Sequence, residues 1–281
     1  MATTLVGRLH AHANQHGIDA FTFDDFVFVG GKVSRDPERL VLVGGQALET
    51  WGVVLDCPAP LGDGTPLTED ADWLGSKTDA KWLCDMLGAG QHELYLAKDF
   101  EEGANTGVAF IERPDKRVLM MDFLRAIVGP TNEQVRRLAV PLSFRGITVQ
   151  VLHPLLCLHS RLSNLAVIPS KRRGNGPMQA VWAVKIAGAF IQKLLSDGDT
   201  RQAIRACHKV ADLAASRHGK YCYTHFEVDP LLAISDEIVK TIGGQFETED
   251  WPRTQARVLE RRARTAAHLA RLKAEKKTPQ P

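Results

Sequence analysis

The sequence predicts an α+β fold in which a mixed-sheet domain is followed by an all-helical domain. Before His153-Pro154, short apolar and β-branched runs alternate with helical patterns, which is typical of strands and helices that share one domain. After this dipeptide the apolar residues recur at helical spacing, and glycine-containing turns separate the segments. We therefore predict one domain over residues 1–152 and a second over residues 153–281.

The predicted first domain starts with two amphipathic helices and continues with several strands. The helices are expected at residues 5–16 and 21–33, and the strands at residues 40–43, 70–74, 93–97, 108–112, 118–123 and 147–152. Further helical patterns cover residues 46–51 and 79–87. The second domain is expected to contain helices at residues 155–167, 178–195, 200–216, 230–242 and 254–275, the last of them basic.

The composition is typical of a soluble globular protein, and the cysteine pattern favours a reducing cytoplasm. Of the 281 residues, 44% are hydrophobic and 24% are charged, which supplies enough apolar side chains for a sizeable core. The apolar run at residues 181–191 contains Lys185 and is too short to span a bilayer, so we expect no membrane segment. The N-terminus lacks a secretory pattern, and the five scattered cysteines argue against a disulfide framework.

Positive charge is concentrated near the C-terminus. From Trp251 onward the chain has nine Lys or Arg residues and two Glu residues, a net charge of +7, so the remainder carries −5 of the overall +2. A basic helix on an acidic body is suited to contact with nucleic acid. A solvated helix face without a ligand explains the same charges equally well, and both interpretations stay open.

A glycine pair and three aspartates suggest a site on the predicted sheet. Gly44-Gly45 follows the first predicted strand, Asp70 and Asp72 alternate on the second, and Asp122 interrupts a later apolar strand. Side chains two residues apart on a strand share a face, and neighbouring carboxylates repel unless a cation lies between them. Mg²⁺ prefers oxygen ligands. The pattern therefore predicts a metal site formed by the three aspartates, with the glycine pair close to a phosphate.

Each part of this pattern also has a plainer explanation. A Gly-Gly pair after a strand is commonly only a turn, and alternating aspartates often lie on a solvent-facing strand edge. Asp122 could instead cap a helix that starts at Phe123. A carboxylate in an apolar run is nevertheless informative, because an unpaired buried charge is costly. The three parts together, in this order, favour the site.

The same residues resemble the nucleotidyltransferase superfamily with the DNA polymerase β-like fold. Gly44-Gly45 matches its Gly-Gly element, Thr68-x-Asp70-x-Asp72 matches its paired metal ligands, and Asp122 matches its third carboxylate. Within the superfamily, the pattern is most similar to the abortive-infection toxin branch (AbiEii-like). The resemblance covers residues 38–165 and implies that the first domain is a nucleotidyltransferase domain.

This resemblance implies an enzyme that uses Mg²⁺ or Mn²⁺ to transfer a nucleoside monophosphate from an NTP to an acceptor hydroxyl. The three aspartates would hold the metal, and Asp122 would also accept the proton of the attacking hydroxyl. Gly44, Gly45 and Thr68 would contact the nucleotide. The acceptor would be an RNA, such as the 3′ end of a tRNA, or a protein. The toxin branch further implies a neutralising antitoxin protein as a partner.

The second domain departs from the toxin branch at two places. That branch has a Lys in the helix after the domain junction, where this chain has His159 and Arg161, and a Lys-Asp pair where this chain has Met178-Gln179. His159, Arg161 and Lys171 are still expected to bind the phosphates of the nucleotide. Alternatively, Arg161 satisfies buried carbonyls and Lys171 lies in a plain loop. The departures also leave open a catalytically silent module that binds nucleotide or nucleic acid.

Two further patterns are weak. Residues 29–33 suggest a phosphate loop, but the upstream glycine and the following Ser or Thr are missing. His218, Cys222 and His225 have a loose metal-ligand spacing without a second coherent pair, so we expect unrelated core or surface roles for them.

Overall fold

The computed structural model describes residues 22–60, 70–88, 92–101 and 103–275 and has the α+β architecture that the sequence predicts. The chain divides into two compact units, one of residues 1–54 and 58–160 and one of residues 55–57 and 161–281. The boundary near the middle of the chain falls inside a helix, between Ser160 and Arg161. The first unit contains the sheet, and the described part of the second unit is helical.

The first unit is built around a seven-stranded mixed sheet. In chain order the strands are β1 (Val41–Leu42), β2 (Asp70–Leu74), β3 (His92–Leu96), β4 (Asn105–Glu112), β5 (Val118–Leu124), β6 (Val140–Phe144) and β7 (Ile147–Val151). Their order across the sheet is β3-β4-β5-β2-β1-β7-β6. The pairs β2–β5 and β1–β7 are parallel, and the other neighbouring pairs are antiparallel. The mixed sheet is therefore as predicted.

The helices of the first unit cover the sheet and begin with well-formed caps. They are α1 (Phe23–Val33), α2 (Gly44–Val54), α3 (Lys77–Leu87) and α4 (Asn132–Leu138). Thr22, Ser76 and Thr131 each form a capping box at the start of α1, α3 and α4, which satisfies backbone N–H groups that have no partner within the helix. Because α1 packs on β7 and α3 packs on β3 and β4, one face of the sheet is buried.

The second unit is a set of helices. Helix α5 (Pro154–Val167) contains the boundary, and α6 (Gly176–Ser196), α7 (Thr200–Ala215), α8 (Arg217–Phe226), α9 (Asp236–Ile242) and α10 (Trp251–Glu275) follow. Short 3₁₀ turns lie at Pro169–Arg172 and Pro230–Ala233, and a π-helical turn lies at Phe246–Asp250. Helices α6 and α7 pack together through faces rich in buried alanine. None of the helices in the described ranges has the length and apolar character needed to cross a bilayer.

Three elements are absent from the sequence prediction. Strand β6 contains Pro141, which usually argues against a strand, but β6 lies at the sheet edge, where the missing N–H is tolerated. Helix α4 has only seven residues, of which Val135 is buried, and its start is marked by the Thr131 cap. Helix α8 is short and polar overall, so few large apolar residues mark it in the sequence.

Some predicted boundaries are also wrong. The helix expected over residues 230–242 is interrupted, because Pro230–Ala233 forms a 3₁₀ turn and Ser235 caps a separate helix, α9. Helix α10 starts at Trp251 rather than at residue 254. Strand β1 is limited to Val41–Leu42. The helix expected at residues 5–16 lies outside the described residues.

Candidate active site

Asp72 and Asp122 lie directly opposite each other on the parallel strands β2 and β5. Directly opposed residues of a parallel pair have side chains on the same face of the sheet, and neighbouring strands are about 4.8 Å apart. The adjacent residues Trp73 and Phe123 are also in register, and both are completely buried on the other face. The strand pairing thus brings together two carboxylates that are far apart in the sequence.

The burial pattern of β5 explains why a carboxylate interrupts an apolar run. Leu119, Met121 and Phe123 are buried, whereas the alternate residues, including Met120 and Asp122, are half-buried. Asp122 therefore lies on the less covered face of the sheet, where a charged group is better tolerated. The alternative that Asp122 caps a helix is wrong, because the residue lies within a strand.

Gly44 forms the turn that brings the backbone against Asp72. The backbone N–H of Val43 donates to the carbonyl of Asp72 at 2.9 Å, and Gly44, with a φ of +67°, starts helix α2. A Cβ atom at Gly44 would lie 1.8 Å from Oδ2 of Asp72 and 2.6 Å from its Cγ. Both the positive φ and this contact require glycine. The Gly-Gly pair is thus a helix start packed against a carboxylate rather than an isolated turn.

Helix α2 presents its N-terminus to the same end of the sheet. Its first backbone N–H groups lack partners within the helix, and the helix dipole places partial positive charge there. Gly45, the second residue of α2, is buried. The indole N–H of Trp51 donates to the carbonyl of Leu152 at 2.7 Å, just beyond β7, and so fixes α2 on the sheet. This end of α2 is therefore suited to an anionic group.

His153 is a polar residue of this region that the sequence analysis did not select. It follows Leu152, whose backbone N–H donates to the carbonyl of Leu42 at 2.9 Å, so it lies at the carboxyl ends of β1 and β7. Burial lowers the pKa of His153 to about 4, which keeps the ring neutral at neutral pH. Its Nδ1 atom accepts a hydrogen bond from the N–H of Leu155 at 3.2 Å. The ring therefore adds no positive charge here.

The other predicted ligands of the first unit are described only in part. Thr68 lies outside the described residues. Asp70 is described by its backbone, which places it in β2 opposite Met120, two positions before Asp72. Among the side chains that the structure describes, no group of three His, Cys, Asp or Glu residues is arranged to hold a metal ion. The described donors at this site are the carboxylates of Asp72 and Asp122.

The basic residues predicted to bind phosphate have different surroundings. His159 is half-buried on α5, in the first unit. Arg161, in the second unit, is 7% exposed, and its Nη1 donates to Oε1 of Gln179 at 2.9 Å. Lys171 is exposed in the 3₁₀ turn after α5. Because Arg161 already bonds to a buried side chain of its own unit, it has a structural role there. The role of all three toward a nucleotide stays a prediction.

His218 and Cys222 have roles inside the helical unit. A hydrogen bond of 2.9 Å joins Nδ1 of His218 to Oγ of Ser163, and the thiol of Cys222 donates to the carbonyl of Leu162 at 3.2 Å. Burial raises the pKa of the Cys222 thiol to about 12, so it stays protonated. These hydrogen bonds within the helical unit agree with the structural role expected from the sequence.

A basic cleft at the carboxyl ends of β2 and β5 was also not predicted from the sequence. Four cationic side chains line this cleft: Lys77, Lys98, Arg125 and Arg136. Lys77 is paired with Asp99 at 2.5 Å. Lys77, Lys98 and Arg125 each follow the end of a strand, β2, β3 and β5 respectively. Because these strand ends meet at one edge of the sheet, this spacing could have predicted the basic cleft from the sequence.

Comparison with known proteins adds little to this geometry. Neither the models of known protein families nor the curated proteins contain a match. Among solved structures, the crystal structure of the Megavirus polyadenylate synthase is similar, with 15% sequence identity and a TM-score of 0.38. The similarity covers 74% of this chain and 43% of that chain, so this chain spans less than half of that protein. A TM-score this low says nothing about the chemistry of this chain.

Proposed function

We propose that this protein transfers a nucleoside monophosphate from an NTP to an acceptor hydroxyl, with release of pyrophosphate. One observation carries the proposal: Asp72 and Asp122 are opposed on adjacent parallel strands, and Gly44 packs against the Asp72 carboxylate at the start of a helix. Two carboxylates beside a helix N-terminus combine a site for a divalent cation with a site for phosphate.

The described donors fit Mg²⁺ or Mn²⁺. Magnesium is commonly held by one or two protein carboxylates together with phosphate oxygens of the substrate, and Asp72 and Asp122 provide two such carboxylates. We propose Asp70 as a further ligand, since it lies on the same strand as Asp72. When bound, the metal would neutralise negative charge on the triphosphate.

The chain's own groups would position the substrates and move one proton. The N–H groups at Gly44 and Gly45 would bind a phosphate, and Asp122 would accept the proton of the acceptor hydroxyl. The hydroxyl oxygen forms a bond to the α-phosphorus as the bond from that phosphorus to the bridging oxygen breaks. Pyrophosphate leaves with that oxygen. Because the protein takes little part in the covalent chemistry, catalysis depends mainly on positioning the substrates and stabilising their charge.

The acceptor is proposed to be an RNA, such as a tRNA 3′ end, or a protein. A toxin function with a neutralising antitoxin protein is part of the same proposal and follows from the motif resemblance. Growth arrest on expression of the wild-type chain, but not of the Asp72→Asn variant, would support it. Normal growth with both chains at equal protein levels would argue against the toxin function.

The transfer itself is tested with α-labelled NTPs, total RNA and Mg²⁺. We expect label to enter a macromolecule with the wild-type protein, and we expect Asp72→Asn and Asp122→Asn each to lower the rate at least about 100-fold. Asp85→Asn is the matched control, because Asp85 is an exposed aspartate of the same unit on α3. Its rate should equal that of the wild type.

The same assay separates the enzyme from a catalytically silent module. NTP binding without label transfer to RNA or protein would favour the silent alternative. Transfer that is unchanged in Asp72→Asn would place the chemistry elsewhere and contradict the proposal. Circular dichroism of each variant checks that the loss of rate is not a loss of fold.

A further inference from the structure

The helical unit contains a cationic cleft of about 750 Å³ between α5, the 3₁₀ turn that follows it, α8 and α10. The basic and aromatic side chains that line it are Arg172, Arg217, His218, Lys220, Tyr221 and His225. No Asp or Glu is among the residues that line it in the described part of the chain. A concave surface with cations and without acids attracts a polyanion.

The positive charge of the cationic cleft comes from three side chains. Arg217 is exposed and Lys220 is half-buried on α8. Arg172 is held in place, because its Nε and Nη2 donate to the carbonyls of Leu165 and Ala166 at 3.0 and 2.8 Å at the end of α5. His218 adds no charge at neutral pH, since burial and the neighbouring Arg217 lower its pKa.

Aromatic rings lie among these cations. Tyr221 and His225 are separated by one helical turn on α8, and their ring centroids are 4.3 Å apart with an angle of 41° between the planes. The guanidinium carbon of Arg172 lies 5.3 Å from the centroid of the Tyr221 ring. His225 is exposed, and Tyr221 is half-buried. Rings interleaved with cations are the surface on which bases of a single-stranded nucleic acid stack.

Helix α10 extends the positive surface beyond the cationic cleft. Thr265 lines the cleft, and Arg261 and His268 lie on the same side of α10 at helical spacing from it; both are exposed. Several other arginines of α10 are neutralised by acids, namely Arg253 by Glu249, Arg257 by Asp212, Arg262 by Asp229 and Arg264 by Glu260. Arg261 is in none of the ion pairs among the described residues.

We propose that the cationic cleft binds single-stranded nucleic acid, with phosphates at Arg172, Arg217 and Lys220 and a base on the Tyr221–His225 ring pair. Under the proposed function, this cleft would be the place where an RNA acceptor binds. The claim that the bound strand is the acceptor rests on the proposed function, whereas the claim that the cleft binds a strand does not. The ring pair favours a nucleic acid over a phosphorylated peptide, and the concave shape favours it over a membrane surface.

Binding is measured by fluorescence anisotropy with a labelled single-stranded RNA of mixed sequence, without NTP or divalent metal. We expect the double variant Arg217→Gln/Lys220→Gln to bind at least tenfold more weakly than the wild type. Each lost phosphate contact lowers the slope of log affinity against log salt by roughly 0.7, so the slope should fall by about 1.4. A single-stranded DNA and an RNA duplex of the same sequence show which strand chemistry is preferred.

A matched control tests whether position matters rather than net charge. Arg253→Gln/Arg264→Gln removes the same charge from exposed sites on α10 where both arginines pair with glutamates. This control should keep wild-type affinity to within about twofold and keep most of the salt slope. Equal losses in both double variants would overturn the proposal, because they would show diffuse attraction to a basic surface.

The ring pair is tested separately from the charges. We expect His225→Ala and Tyr221→Leu each to weaken RNA binding by roughly fivefold or more with an unchanged salt slope, which is the signature of lost base stacking. His225 is exposed, so its variant remains informative if Tyr221→Leu fails to fold. Wild-type affinity in both folded variants, or equally tight binding of a phosphopeptide or of anionic vesicles, would overturn the assignment.

The binding test and the transfer test can fail independently. Binding lost in Arg217→Gln/Lys220→Gln and kept in Asp72→Asn supports the cationic cleft even if no label is ever transferred. Transfer to RNA together with unchanged binding in the α8 variants would keep the proposed function and overturn this site.

Discussion

The two units place their polar groups by different means. In the sheet unit, strand register sets Asp72 opposite Asp122, and the start of α2 places Gly44 in direct contact with the Asp72 carboxylate. In the helical unit, the cationic cleft is assembled from side chains on α5, the 3₁₀ turn that follows it, α8 and α10, and backbone carbonyls hold Arg172 in place. Backbone geometry thus fixes the positions of the aspartates in the sheet unit. In the helical unit, the cleft depends on side chains at the surface of several elements.

This difference predicts how each region responds to substitution. A group fixed by backbone register has no alternative position, so a single added methyl group can abolish function. A surface of several cations and rings loses affinity in steps, because each group contributes separately. The sheet site should therefore respond in an all-or-none manner, and the cationic cleft should respond gradually.

The largest effect is expected for Gly44→Ala. The added Cβ would lie 1.8 Å from Oδ2 of Asp72, so either the carboxylate or the start of α2 must move. We expect nucleotide transfer to fall at least about 100-fold, as for loss of a positioned charge-stabilising group. Rates measured with saturating NTP, together with a thermal melt, check this prediction.

Gly146→Ala is the matched control for backbone strain. Gly146 has a φ of +76°, close to that of Gly44, but a Cβ there would meet no atom within 4 Å. Both variants should lose roughly 1–2 kcal/mol of stability from the left-handed backbone conformation. Only Gly44→Ala should lose transfer. Equal rates in the two variants would contradict the close packing of Gly44 against Asp72.

The next effect concerns a carboxylate of the sheet unit with a structural role. Asp25 is completely buried, accepts two hydrogen bonds from Arg117 at 2.8 and 2.9 Å, and lies 3.1 Å from Arg113. Asp25→Asn leaves two cations without their buried counter-charge, so we expect the free energy of unfolding to fall by about 3 kcal/mol. Denaturant unfolding measures the change, and the exposed Asp85→Asn should change it by less than about 0.5 kcal/mol.

Low pH should remove the contribution of Asp25 to the free energy of unfolding. Burial alone raises the pKa of Asp25, but hydrogen bonds from Arg117 and Thr22 outweigh burial and leave the pKa below its ordinary value. A lowered pKa stabilises the fold above the pKa of the unfolded chain, near 4, and the gain is lost as pH falls through the folded value. The stability difference between wild type and Asp25→Asn should therefore shrink below about pH 4. A constant difference from pH 7 to pH 3 would contradict this assignment.

A smaller effect is expected in the helical unit. Gln179→Ala removes the buried acceptor at 2.9 Å from the guanidinium of Arg161. The lost bond to a charged donor should cost about 1.5–3 kcal/mol of unfolding free energy. Gln179→Glu keeps an acceptor at the same place and should be more stable than Gln179→Ala. If the alanine and glutamate variants unfold at the same denaturant concentration, the pairing contributes nothing measurable.

Much of the sheet could be predicted, and its acidic residues could be singled out, because their signals are local. Asp122 is recognisable in the sequence as one charge within an alternating apolar strand, and Gly44 as a glycine directly after a buried strand. The register that sets Asp72 against Asp122 was not predictable, because it depends on pairing between distant strands. The sequence named these residues, and only the coordinates show that they are opposed.

The cationic cleft was missed because its residues lie on separate elements. Arg172 and Tyr221 are distant in the sequence and meet only through helix packing. Within α8, the polar run from Arg217 to His225 hides its helical character, and its His and Cys residues draw attention to metal binding instead. Strand β6 was missed for a related reason, since Pro141 breaks the local pattern and the edge position that tolerates it is a tertiary property.

We propose that Asp72 and Asp122 hold a divalent cation beside the start of α2. Anomalous diffraction from crystals grown with Mn²⁺ and a non-hydrolysable NTP would locate this cation. We predict an anomalous peak about 2.1 Å from carboxylate oxygens of both residues, with a phosphate near the N–H groups at Gly44 and Gly45. Clear density for the nucleotide with manganese bound at other residues, or with no peak between these two carboxylates, would contradict this metal site.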